Sequence, residues 1–244
     1  MRNIKLTISY DGTRYSGWQF QKNGRSIQEA IQKAIKKVTG ESVHLTGSGR
    51  TDSGVHAYGQ VANFKTRSRL PVKNIQMALN RSLSRDIVIV KAEEVRESFN
   101  SQHSARSKLY RYTIFNNDFL DPIARHYAVK CFYALNVSLM KKAAKILEGK
   151  HDFKAFQAKD DAEKGSVRTL KSVRIKKDVN MIYMDMEANG FLYNMVRNIA
   201  GTLVEVGRGK ISVDDIGSIL KKKDRRLSGP TMPAKGLCLV KVNY

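Results

Sequence analysis

Gly47-Ser48-Gly49-Arg50-Thr51-Asp52-Ser53-Gly54-Val55-His56-Ala57-Tyr58-Gly59 is the stretch around which the chain is organised. Four glycines in thirteen positions allow tight turns and close approach to other backbone. Among them stand one acid, Asp52, and one fixed cation, Arg50. Val43 and Leu45 on one side, and Val61 and Phe64 on the other, alternate as strands do. The reading is a polar loop between two strands, a position where a rigid scaffold carries sites.

Working outward, Ile4, Leu6, Ile8 and Tyr10 alternate with polar residues and predict a half-buried strand. A polar loop follows, with Gly12, Tyr15, Gly17 and Trp18, the only tryptophan. Ser26 and Glu29 form a capping-box pattern before a helical face of Ile27, Ala30, Ile31, Ala34, Ile35 and Val38, which Gly40 ends. Beyond the central loop, Pro71 opens a helix through Met77, Ala78 and Leu79, and 86–95 reads as a strand. Strand, helix, strand, strand, helix, strand is the ferredoxin-like order.

The second half repeats this outline without repeating the sequence. A strand holds Leu109, Tyr110, Tyr112 and Ile114, and helical spacing runs from Leu139 to Leu147 before Gly149. Two strands are predicted over 167–176 and 181–187, then a long apolar helix over 191–206, a short basic helix over about 213–223 and a last strand over 237–242. The expected fold is α+β: two ferredoxin-like halves, 1–104 and 105–244, sharing a mostly antiparallel central sheet with the active-site cleft between them.

Lys and Arg number 44 against 22 Asp and Glu, a formal charge of +22. That exceeds what solubility requires and implies a polyanionic partner, nucleic acid before an anionic membrane, because no basic amphipathic helix carries a Trp/Phe/Leu face. Cys131 and Cys238 are too few for a disulfide framework or a zinc site and read as reduced thiols. The alternating N-terminus lacks a signal-peptide run, and apolar runs such as 87–90 are far too short to span a bilayer. The expectation is a soluble cytoplasmic protein.

Several chemistries can be tested on the central loop. It contains no Walker A string, and Asp52 stands where a dinucleotide fingerprint needs its third glycine. Asp52 and His56 alone are too few ligands for a metal. A lone carboxylate is left, either a nucleophile or base, or an Asp that hydrogen-bonds its own turn. Lys65, Arg67 and Arg69, and the denser Lys221, Lys222, Lys223, Arg225 and Arg226, read either as phosphate contacts or as solvated faces. Tyr110 and Tyr112 share one strand face, as core residues or as a stacking surface for an extruded base. Arg197 interrupts an apolar helix; it either lies on that helix's polar flank or is buried against a carboxylate, with Asp52 a candidate.

These residues resemble the TruA-type tRNA pseudouridine synthases over essentially the whole chain. The matching segments are Tyr10-Asp11-Gly12-Thr13 with Gly17-Trp18-Gln19, then Gly49 through Ala57, and His151-Asp152-Phe153. Val167-Arg168-Thr169, Phe191 through Arg197, and Pro233-Ala234-Lys235-Gly236-Leu237 follow in the same order. The resemblance implies isomerisation of uridine to pseudouridine in tRNA, at positions 38 to 40 of the anticodon stem-loop, without cofactor or metal, by a homodimer. It implies Asp52 as the essential catalytic residue, Tyr110 packed on the target base, Arg197 paired with the aspartate, Leu237 lining the pocket, and Arg50 helping to extrude the nucleotide. Ser53, Asn63, Met232 and Cys238 depart from frequent family residues, and none removes a catalytic group. The alternatives are the same chemistry on another RNA, or a non-catalytic RNA-binding or chaperone protein, against which the intact set of Asp52, Tyr110 and Arg197 argues.

Overall fold

A computed structural model describes residues 1–119, 121–158 and 165–244. In chain order the main elements are β1 (Arg2–Tyr10), α1 (Ile27–Thr39), β2 (Thr46–Gly47), β3 (His56–Thr66), α2 (Val72–Ser82), β4 (Ile87–Val95) and β5 (Ser107–Asn116). There follow β6 (Val129–Cys131), α3 (Val137–Leu147), β7 (Gly149–Asp152), β8 (Val167–Asp178), β9 (Met181–Ala188), α4 (Met195–Gly207), α5 (Asp215–Lys222) and β10 (Leu237–Asn243). The chain divides into two compact units, Met1–Arg106 with Cys238–Tyr244, and Ser107–Leu237. Among the described residues, no helix is long and apolar enough to cross a membrane.

In the first unit β1 lies antiparallel between β3 and β4. The free edge of β3 is divided: β2 pairs antiparallel at Ala62 and Asn63, while β10 pairs parallel at His56 and Ala57. That is the ferredoxin-like arrangement, with the chain's last strand taking the edge length that two-residue β2 leaves open. Val43 and Leu45, expected within a strand, precede it; only Thr46 and Gly47 pair with β3. Gln32 and Gln28 of α1 donate to the Val43 and Leu45 carbonyls at 2.9 and 2.8 Å, so side chains satisfy backbone groups that a ladder would otherwise take.

α1 forms as its sequence demands. The Ser26 side chain accepts from the Glu29 N–H at 3.2 Å, a cap worth about 1 kcal/mol. Gly40, at φ 76°, closes the other end by donating to the Lys36 carbonyl. Ile27, Ile31 and Ile35 are fully buried, as are Ile4, Leu6 and Ile8 of β1 and Ile75 and Leu79 of α2. They form the core of this unit, and β3 is buried along its whole length except at Tyr58 and Lys65.

The second unit carries the antiparallel order β5-β9-β8-β7, with β6 added parallel to β5. Its core holds Tyr112, Ile114, Met184 and Met186 from the strands and Met140, Leu147, Ile199 and Leu203 from α3 and α4. The long helix expected from Phe191 begins instead at Met195. Asn194 adopts the left-handed region (φ 58°), so the apolar spacing of Phe191 and Leu192 belongs to the approach and not to the helix. Within α4 only Arg197 and Glu205 escape burial, because the segment 225–233 packs over the helix. A Cβ on Gly201 would stand 1.9 Å from the Pro230 carbonyl oxygen.

That contact separates two otherwise identical substitutions. Gly201→Ala is expected to destabilise the protein by about 2–3 kcal/mol in urea unfolding, because backbone must move to admit the methyl. Gly217→Ala, in α5 with nothing within 4 Å of its added Cβ, is expected to gain up to about 1 kcal/mol.

Candidate active site

The loop between β2 and β3 is glycine-rich, yet it is held along its length. Ser48 N donates to the Val61 carbonyl at 2.7 Å. The fully buried Gln60 side chain accepts from Ser48 Oγ at 2.6 Å and donates to the Gly49 carbonyl at 2.9 Å. Thr51 is gripped twice: its hydroxyl is hydrogen-bonded to Tyr10 Oη at 2.8 Å, and its carbonyl accepts from Trp18 N at 3.0 Å. Burial pushes the Tyr10 phenol well above its usual 10.0, against the Thr51 hydrogen bond, so it stays a neutral hydroxyl.

Asp52 follows Thr51 and is half-buried; its carbonyl accepts from Val55 N at 3.2 Å, which closes the turn. Arg50, on the other side of Thr51, is exposed. The loop 15–18 braces the same turn from outside. The Tyr15 carbonyl accepts from Gly54 N at 3.3 Å and from Ser53 Oγ at 3.2 Å. Gly17 has φ 100°, and a Cβ there would stand 2.6 Å from the Thr51 carbonyl oxygen. Only glycine fits both the conformation and the approach. At the head of β3, His56 Nδ1 lies 3.1 Å from Gly12 N and 3.2 Å from Asp11 Oδ1, tying the loop's exit to the end of β1.

The second unit holds the other expected residues. Tyr110 is buried with its ring edge-on to Phe191, centroids 5.2 Å apart. Tyr112, two residues on, is a core residue whose hydroxyl donates to the Pro233 carbonyl at 2.8 Å. Arg197 is half-buried, and it has partners within this unit: Nε donates to the Met232 carbonyl at 2.6 Å and Nη1 to Asn194 Oδ1 at 2.8 Å. The left-handed Asn194 thus both delays the helix and orients the arginine. Leu237 is buried at the start of β10. Among the described residues no three His, Cys, Asp or Glu side chains gather as a metal site requires.

The basic clusters divide once the partners are known. Arg225 donates to the Gly229 carbonyl (2.9 Å), Ser228 Oγ (2.8 Å), Thr231 Oγ1 (3.0 Å) and the buried Asn198 Oδ1 (3.0 Å). It is a structural clamp holding 228–231 on α4. Arg226 pairs with Asp224, whose carboxyl it lowers to about 2, and Lys223 pairs with Asp152 at 2.8 Å. Lys221 and Lys222 are exposed. Lys65 is paired with Glu97 at 3.3 Å, while Arg67 and Arg69 lie exposed beyond the end of β3.

Sequence reasoning missed Tyr10, Trp18 and Gln60 as the braces of the loop. Tyr10 and Trp18 lie in short motifs whose sequence does not mark them as braces, and Gln60 has the pattern of any polar residue on an alternating strand.

Residues 6–104 and 143–244 match a family described as tRNA pseudouridine synthase. A protein named tRNA pseudouridine synthase A from Thermoanaerobacter sp. (strain X514) is 50% identical over 244 residues, covering all of both chains. A tRNA pseudouridine synthase A 2 from Clostridium perfringens (strain 13 / Type A) is likewise 50% identical across the full length of each. A third relative, tRNA pseudouridine synthase A from Acetivibrio thermocellus, is 47% identical with the same complete coverage.

Two predictions follow from the bracing. Burial pushes the Asp86 carboxyl up, but the Ser84 and Tyr15 hydroxyls outweigh it and hold it below its usual 3.8. A depressed carboxylate stabilises the fold above its unfolded pKa and loses that contribution as pH falls through the folded one. The stability gap between wild type and Tyr15→Phe, measured by thermal melts, is therefore expected to be full near neutral pH and to narrow below pH ~4. Arg225→Ala is expected to cost about 2–3 kcal/mol of unfolding free energy, as loss of charged hydrogen bonds does. It should leave the salt slope of RNA binding unchanged, since a clamp neutralises no phosphate.

Proposed function

The chain belongs to the tRNA pseudouridine synthase family, and from that premise we propose that Asp52 is the catalytic carboxylate with which this isomerase acts on uridines 38 to 40 of the tRNA anticodon stem-loop. The observation that carries the assignment is the double fastening of Thr51, by Tyr10 Oη and Trp18 N. It fixes the backbone of the next residue, and a carboxylate that must meet one atom of a sugar or base needs a fixed origin.

The reaction is a rearrangement with no net redox change. The N1–C1′ bond of uridine breaks, the uracil turns, and a C5–C1′ bond forms; the C5 proton leaves and N1 gains one. An ionised Asp52 begins this by adding to the substrate or by taking a ribose proton. Its single negative charge is the requirement common to both routes.

The remaining roles follow the family. Tyr110, braced edge-on by Phe191, packs on the target base and leaves its plane free to turn. Leu237 supplies an apolar wall. Arg197, already oriented by Met232 and Asn194, holds negative charge at the site, and exposed Arg50 helps to take the nucleotide out of its stack. Flipping a base costs a few kcal/mol, which phosphate contacts of a chain with formal charge +22 offset. The enzyme works on tRNA as a homodimer in the cytoplasm, with no cofactor.

Release of tritium from uridine C5 of an unmodified tRNA transcript tests the reading. Wild-type protein is expected to release it, and Asp52→Asn to lose at least about 10⁴-fold in kcat while its tRNA affinity stays within about tenfold. Substantial turnover by the variant would remove Asp52 from the role, and mapping the modified uridines checks the three positions.

A further inference from the structure

Between β1 and α1 the chain forms a small hairpin with a large exposed ring at its foot. Gln21 and Gly24 pair as an antiparallel bridge around Lys22 and Asn23, and Phe20, just before them, is 54% exposed. The preceding aromatic, Trp18, is 3% exposed, so this segment buries one ring and presents the next.

The hairpin is braced at its base. Ser16 N donates to the Arg25 carbonyl at 2.9 Å, Ile27 N to the Gly17 carbonyl at 3.1 Å and Gln28 N to the Trp18 carbonyl at 2.9 Å. Phe20 N itself donates to Gln28 Oε1 at 3.0 Å, and the Gln28 amide continues to the Leu45 carbonyl at 2.8 Å. Its root is also the segment that grips the catalytic loop, through Trp18 N to Thr51 and the close approach of Gly17. An exposed ring on so fastened a stem loses little further freedom when something stacks on it.

The composition of the segment that carries the ring points to a polyanion that carries flat faces. From Gly12 to Gln28 the chain contains Arg14, Lys22 and Arg25 and no acid, and Arg14 and Lys22 are exposed. An apolar protein surface would be served by the ring but not by the cations; phosphate would be served by the cations but not by the ring. Single-stranded nucleic acid uses both.

We propose that Phe20 is a substrate-positioning residue, its ring stacking on an unpaired base of the bound RNA next to the target nucleotide, with Lys22 and Arg14 facing the flanking phosphates. The inference rests on the RNA-modifying function proposed above. It concerns a base that is held and not isomerised, so it bears on KM before kcat.

The test measures kcat and KM for tritium release from the same tRNA transcript by wild type, Phe20→Ala, Phe20→Trp and Phe20→Leu, with thermal midpoints for all four. Phe20→Ala is expected to raise KM by about tenfold or more, the scale of one lost base stack, with kcat changed by less than about twofold. Phe20→Trp is expected to restore KM, and Phe20→Leu is not, because an aliphatic side chain offers no stacking face. An unchanged KM in Phe20→Ala would overturn the proposal. So would rescue by leucine equal to that by tryptophan, which marks a merely apolar contact, or a lowered midpoint with kcat and KM falling together, which marks a structural ring. Silence of the wild type would instead count against the proposed reaction, and filter binding of the same tRNA would then decide the Phe20 contact on its own.

Discussion

The grip on Thr51 is the constraint on which the rest of the first unit depends. A loop with four glycines in thirteen residues pays heavily in conformational entropy, roughly 1–2 kcal/mol per ordered residue. Buried polar side chains recover that cost here. Tyr10 reaches from the end of β1, Gln60 from β3, and the backbone of Trp18 from the hairpin segment. Each is itself immobile, because Tyr10 and Trp18 are nearly fully buried and Gln60 entirely so. The loop therefore keeps the sharp turns that glycine permits without the mobility that glycine brings.

The second unit uses the same device on its arginine. α4 is buried on almost every side, and the segment 225–233 lies across it at a spacing only Gly201 and Gly229 allow. Asn198, Thr202 and Arg225 lock that segment in place, and its Met232 carbonyl then receives Arg197. The guanidinium is held by groups fixed through the helix it belongs to, so its direction is set before any substrate arrives.

Charge in this protein has two separate uses. The formal +22 provides the long-range attraction that a tRNA-modifying enzyme needs. Part of it is engaged within the chain, however: Arg225 clamps a loop, and Lys223 and Arg226 form surface pairs with Asp152 and Asp224. In the densest run of positive charge, three of five cations thus have protein partners, and Lys221 and Lys222 face solvent. Exposed cations elsewhere, such as Arg14, Lys22 and Arg50, are left to face solvent.

By itself the sequence determined what is local. Alternation marked β1, β5 and β9, the Ser26 cap and Gly40 bounded α1, and the spacing of short motifs carried the family, because each depends on neighbours along the chain. Only the tertiary structure decided the start of α4, where a left-handed Asn194 overrides an apolar period. It alone divided the edge of β3 between β2 and β10, and showed which cations are occupied and which rings brace the loop. The physical reason is the same in each case. These outcomes depend on partners brought together from distant parts of the chain, such as Cys238 beside His56 or Arg225 beside Asn198, and no local pattern encodes which partner arrives.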